Sequence, residues 1–130
     1  MSDHDGIMVT GRDTLGKLVR DRIPDIIRRS GRTPRYRTLS TDEYRRALID
    51  KLNEEVGELA AAENQESILG EAADVVEVVA AIAAEYGADL GTVLDIASRK
   101  RTERGGFGQR LWLSSIDESE SAVSVEPTDH

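Results

Sequence analysis

Ser40 to Gly87 reads STDEYRRALIDKLNEEVGELAAAENQESILGEAADVVEVVAAIAAEYG, and the period of its apolar residues decides the fold. Ser40-Thr41-Asp42-Glu43 has the form of a capping box, a hydroxyl acceptor followed three residues on by Glu. It opens a run in which Tyr44, Leu48, Leu52, Val56 and Leu59 fall on one helical face, a helix ending near Glu63. Asn64-Gln65-Glu66-Ser67 is a short polar break with Ser67 as the expected cap. Ile68 to Tyr86 then repeats the pattern through Ile68, Ala72, Val75, Val79 and Ile82, and Gly87 ends it.

Reading outward from this pair, Ile23-Pro24-Asp25-Ile26-Ile27 places Pro24 in a first turn and Gly31 at a close, which predicts a short helix near Pro24 to Arg29. Thr33 to Leu39 reads as short and extended. A third long helix is expected from about Asp89 to Arg104, stopped by Gly105-Gly106. The sum is an all-α domain: an antiparallel helical bundle of three long helices plus a short N-terminal helix, with short connections. Val75, Val76, Val78 and Val79 make the second long helix apolar over more than one stripe, wider than one such chain covers. We therefore expect a homo-oligomer, at least a dimer.

The chain has 130 residues, enough for a single core. Hydrophobic residues make 38% but aromatic ones only 4%, so the core must come from Leu, Ile, Val and Ala, which suits helices. There is no Cys, which excludes disulfides, thiolate zinc sites and thiol nucleophiles. His4 and His130 lie at the ends of the chain and argue against histidine chemistry. No apolar run approaches a membrane span, and the N-terminus lacks the build of a signal peptide; a cytoplasmic protein is expected.

Net charge is −8, unevenly spread. Residues 117–130 carry five acidic residues and no Lys or Arg and read as a disordered tail; residues 1–13 read as a flexible leader, leaving a nearly neutral domain over residues 14–116. Within it, Lys17 to Arg37 is basic, Asp42 to Asp95 acidic and Arg99 to Arg110 basic again. An acidic centre between basic flanks suits carboxylates that hold cations, with Arg and Lys around a polyanion. Nucleic acid is disfavoured as a partner, because aromatic residues are few and the acidic centre repels phosphate.

The carboxylates of the two central helices are misplaced for solvated residues. At about 100° per residue, with Leu52 at zero, Glu55 falls at about −60°, Glu58 at about −120° and Glu54 at about −160°. With Glu71 at zero, Val75, Val78 and Ile82 lie within about 40° of it and Asp74 at about −60°, so Glu71 stands inside the apolar stripe. A lone buried carboxylate costs several kcal/mol or protonates, and few basic residues lie nearby in sequence. Consecutive helices joined by a tight break bring Glu55 and Glu58 to face Glu71 and Asp74. Four carboxylates at one spot, with no His or Cys, call for a hard divalent cation, Mg²⁺ or Mn²⁺.

Glu54-Glu55-Val56-Gly57-Glu58 followed by Glu71-Ala72-Ala73-Asp74 resembles the EExxE…ExxD signature of the all-α NTP pyrophosphohydrolases, the MazG-like superfamily that includes phosphoribosyl-ATP pyrophosphohydrolases. Lys17-Leu18-Val19-Arg20-Asp21-Arg22-Ile23-Pro24 and Lys100-Arg101-Thr102-Glu103-Arg104-Gly105-Gly106-Phe107 are similar to flanking segments of a compact, house-cleaning branch, so the likeness runs from about Lys17 to Leu113. It implies Mg²⁺-dependent hydrolysis of a nucleoside triphosphate between the α and β phosphates, giving a monophosphate and pyrophosphate. By the same resemblance Glu55, Glu58, Glu71 and Asp74 are the metal ligands.

The chemistry suits such a cluster: cations neutralise phosphate oxygens and acidify water, and a spare carboxylate takes the proton. Glu54 is the candidate for that base by its place in the motif, and Glu77 reads as a solvated residue. Arg20, Arg22, Lys100 and Arg104 are the candidate phosphate holders. Phe107 reads either as a base-stacking residue or as a core anchor, and Trp112 and Tyr36 as packing residues. Gly57 costs about 1 kcal/mol against Ala in a helix and suggests a close approach. The alternatives are a phosphoribosyl-ATP pyrophosphohydrolase of histidine biosynthesis and a catalytically silent helical module.

Overall fold

The computed structural model describes residues 16–118. The expected leader, residues 1–13, and all of the expected tail except Asp117 and Glu118 lie outside the described residues. The described residues are all-helical, with no strand among them: α1 (Ile23–Arg29), α2 (Thr41–Ala61), α3 (Gln65–Glu85) and α4 (Leu90–Arg104). The segment expected to be extended, Thr33 to Leu39, has no regular structure. The chain divides into two units, Met1–Ile96 and Ala97–His130, with the boundary inside α4.

The three long helices begin where a side chain can satisfy the first N–H groups. Ser40 caps α2: its Oγ accepts from the Glu43 N–H at 3.2 Å, and the Glu43 carboxylate accepts from the Ser40 N–H at 3.0 Å. Arg37 holds both Glu43 oxygens at 3.2 Å. α3 starts three residues earlier than expected, because Asn64 and not Ser67 is the cap; its Oδ1 accepts from the Ser67 N–H at 2.8 Å. Asp89 does the same for α4, accepting from the Thr92 N–H at 2.9 Å and hydroxyl at 3.0 Å. Gly87, at φ 80°, and Gly105, at φ 86°, follow α3 and α4 in the left-handed conformation that closes a helix.

α2 and α3 pack along each other as a helical hairpin closed by residues 62–64. At its open end Arg45 donates to the Glu85 carboxylate at 3.1 Å and lies over the Tyr86 ring, 4.9 Å from its centre. Toward the closed end Glu55 meets Glu71. Leu48, Val78 and, from α1, Ile23 are the buried apolar side chains among the described residues; Val75 and Val79 are half-buried and Val76 is exposed. Three charged side chains, Lys51, Glu55 and Glu71, are buried as well. The interior is thus as rich in charge as in hydrocarbon, and the charge is concentrated at one place.

Several expected packing roles are corrected. Phe107 is 96% exposed and is no core anchor, and Trp112 is 89% exposed and is not buried as a packing residue. Tyr36 is exposed and engages Arg28, whose guanidinium donates to its hydroxyl at 2.9 Å and lies 5.7 Å from the ring centre. A Cβ added at Gly57 meets nothing within 4 Å, so no approach among the described residues requires that glycine.

The cap of α2 gives the fold a titratable point. Arg37, followed by the Ser40 N–H, holds the Glu43 carboxyl at about 2, against an ordinary 4.5. A carboxyl depressed in the folded state stabilises it fully above the ordinary value and loses that contribution as pH falls toward the depressed one. Amide-exchange protection in the first turn of α2 is therefore expected to decline between about pH 4.5 and 2, and Glu43→Gln to abolish that pH dependence. Ser40→Ala is expected to lower stability by about 1 kcal/mol in urea melts. Protection that is flat across the window in the wild type would contradict this account of the cap.

Candidate metal centre

One carboxylate from α2 and two from α3 converge in the hairpin seam. An oxygen from each of Glu55, Glu71 and Asp74 lies within 4.8 Å of the other two. Glu55 is 1% and Glu71 5% exposed, while Asp74 is half-buried at the edge. The helical period explains the placement: Glu71 and Asp74 are one turn apart, and Glu71 occupies a position that Val78 continues toward the core.

Basic residues hold this group on two sides. Arg20 Nη2 donates to Asp74 Oδ1 at 2.7 Å, which brings the N-terminal basic segment onto the cluster. Lys51, one turn before Glu55, places its Nζ 3.4 Å from Glu55 Oε2 and 3.4 Å from Glu54 Oε1. Lys17 reaches Glu54 Oε2 at 3.7 Å. The expectation that few bases lie nearby is thus corrected. Lys51 stands at i−4 from Glu55 and i−3 from Glu54, spacings at which helix side chains meet, and that spacing was the signal available in the sequence.

Two oxygens of the cluster are left over: Glu55 Oε1 and Glu71 Oε1 are both fully buried and accept no hydrogen bond among the described residues. Such an oxygen is costly unless a donor or cation meets it. The donor set is all oxygen, close enough to share one ion, with no sulfur or imidazole in it; that set fits Mg²⁺ or Mn²⁺.

The other expected site residues are half-buried or exposed. Glu58 is exposed and is not one of the three converging carboxylates. Glu54 is half-buried between its two lysines, and Glu77 is exposed. Arg22 is exposed at the N-cap of α1. Lys100 and Arg104 are exposed on the last turns of α4, in the second unit. Beside Glu54 is a cleft of about 90 Å³, lined by Lys17, Leu18, Ala47, Asp50 and Lys51 together with Gly16.

Glu71→Gln removes the charge but keeps the shape. It is expected to leave the melting temperature in EDTA unchanged or higher, since a buried charge disappears, and to abolish stabilisation by Mn²⁺ in thermal melts. An equal Mn²⁺ response in wild type and variant would contradict the assignment.

The model of the family described as phosphoribosyl-ATP pyrophosphohydrolase matches residues 25–101 of this chain, which include α2, α3 and all three converging carboxylates. A Mycolicibacterium smegmatis protein, named only as uncharacterized, is 60% identical over 55 residues, or 42% of this chain and 56% of that protein. The chain thus spans about half the length of that relative. No solved structure matches the present chain.

Proposed function

The chain belongs to the phosphoribosyl-ATP pyrophosphohydrolase family, within the MazG-like superfamily, and from that premise we propose that it hydrolyses a nucleotide between the α and β phosphates, releasing pyrophosphate, with Mg²⁺ or Mn²⁺. The observation that carries this reading is the meeting of Glu55, Glu71 and Asp74, with buried Glu55 and Glu71 oxygens that accept no hydrogen bond among the described residues. These three carboxylates are the proposed ligands, with Glu58 as a fourth on the strength of the motif.

A bound divalent cation supplies charge that neutralises phosphate oxygens and makes water a better nucleophile at neutral pH. The protein's own groups do the rest. Glu54, held by Lys17 and Lys51, is the proposed acceptor of the water proton. Arg20, already on the cluster through Asp74, is the proposed holder of a phosphate oxygen, with Arg22, Lys100 and Arg104 as further anion-binding groups.

We propose that the substrates are non-canonical nucleoside triphosphates, a house-cleaning role. The matched family model equally favours phosphoribosyl-ATP in histidine biosynthesis. The cleft beside Glu54 is far smaller than the roughly 300–1,000 Å³ of ordinary ligand pockets. Exposed Ile49, Val56, Leu69 and Val76 on the hairpin, and Leu111 to Leu113 in the second unit, support assembly. The working form is therefore a homo-oligomer, with the helices completing an antiparallel bundle. No described helix is long and apolar enough to cross a membrane, and the proposed setting is the cytoplasm, without a nucleic-acid partner.

Pyrophosphate release from canonical and modified triphosphates and from phosphoribosyl-ATP, with Mg²⁺ or Mn²⁺ against an EDTA control, tests the reading. Metal-dependent release is expected, lost in Glu55→Gln and Asp74→Asn with helicity retained; the preferred substrate separates the two roles. Folded, metal-supplied protein that releases none would make the chain a silent helical module.

A further inference from the structure

Lys51 is a buried cation whose part in the proposed reaction so far is only to hold Glu54. It is 7% exposed, and its ammonium is 3.4 Å from carboxylate oxygens of both Glu54 and Glu55. Arg20, the other base on the cluster, reaches Asp74 with a side chain that is 46% exposed, where water can replace it at little cost. Lys51 is far less exposed, at one wall of the cleft beside Glu54, and its backbone lies on the same helix as its two partners. Where Glu55 is 1% exposed, an ammonium at this distance offsets a large part of the cost of desolvating the carboxylate. The same positive charge opposes a second cation arriving at the same carboxylate.

We propose that Lys51 is the resident counter-ion of the carboxylate cluster: its ammonium holds Glu54 and Glu55 in place when no divalent cation is bound, and sets how strongly the cluster draws one. The proposal rests on the metal-dependent reading above. It makes Lys51 a positioning residue with two effects of opposite sign. Loss of the ammonium destabilises the empty protein, because Glu55 becomes a buried charge without its ammonium, and strengthens cation binding, because a repelling charge is gone. Loss of packing alone produces the first effect and not the second.

The test uses the full chain, with melting temperatures in EDTA and calorimetric titration with Mn²⁺. Lys51→Met is expected to melt lower than wild type in EDTA. Its Mn²⁺ affinity is expected to rise on the order of tenfold, the size of effect one elementary charge exerts at a few ångströms in a partly screened site. Lys51→Arg keeps the charge and should behave as wild type in both measurements. Lys51→Met combined with Glu55→Gln removes both charges and should recover the melting temperature lost by Lys51→Met, or recover folding if Lys51→Met alone does not fold. Unchanged or weaker Mn²⁺ affinity in Lys51→Met overturns the proposal, as does a double variant no more stable than the single one. Wild type that binds no Mn²⁺ overturns the underlying metal reading, and the melts in EDTA report the Lys51–Glu55 coupling independently of it.

Discussion

Where a helical hairpin ordinarily buries leucine, the seam between α2 and α3 buries carboxylates, and the rest of the first unit is arranged around that constraint. Each ionised carboxylate taken out of water costs several kcal/mol unless it meets a base, a donor or a cation. Lys51 on Glu55 and Arg20 on Asp74 answer two of the three. Lys51 meets only Oε2 of Glu55, and the Oε1 atoms of both Glu55 and Glu71 are left with no donor among the described residues. Stability is supplied elsewhere: Leu48 and Val78 lie in the hairpin core, Arg45 ties Glu85 at the open end, and side-chain caps begin α2, α3 and α4. A protein selected for stability alone gains more from apolar residues at these positions, so the cluster reads as a site retained for its chemistry.

The helices were legible because their signals are local. Apolar residues recurring every three to four positions, a Ser-x-x-Glu cap and glycines after the last turn act within a few residues of one another. The start of α3 was misplaced because Asn64 and Ser67 are both good caps, and only the backbone geometry selects between them. The convergence of Glu55, Glu71 and Asp74 was legible for a related reason. Glu71 within an apolar stripe is a contradiction in one dimension, and a hairpin joined by three residues leaves it few partners except Glu55. Glu58, one turn beyond Glu55, is instead exposed, as its greater angular distance from the core stripe allows. Arg20 at Asp74 lies 54 residues away in sequence, beyond the reach of any pattern. Lys51 was within reach at i−4, and was obscured by an acidic segment whose average charge conceals its single well-placed base.

The apolar residues sort differently. A stripe such as Val75, Val76, Val78 and Val79 says that a surface is to be covered but not what covers it. Within one chain Val78 is buried and Val76 exposed, and in the second unit Phe107 and Trp112 are almost wholly exposed. Large apolar side chains left in water are a standing drive toward association.

The central claim is that Glu55, Glu71 and Asp74 act together on one hard cation. Anomalous diffraction from crystals grown with Mn²⁺ tests it most directly, because the ion reports its own position. The account predicts an anomalous peak in the α2–α3 seam, at about 2.0–2.3 Å from an oxygen of each of the three carboxylates. Density showing the three carboxylates bridged only by Lys51 and Arg20 at saturating Mn²⁺, with no peak in the seam, would contradict it.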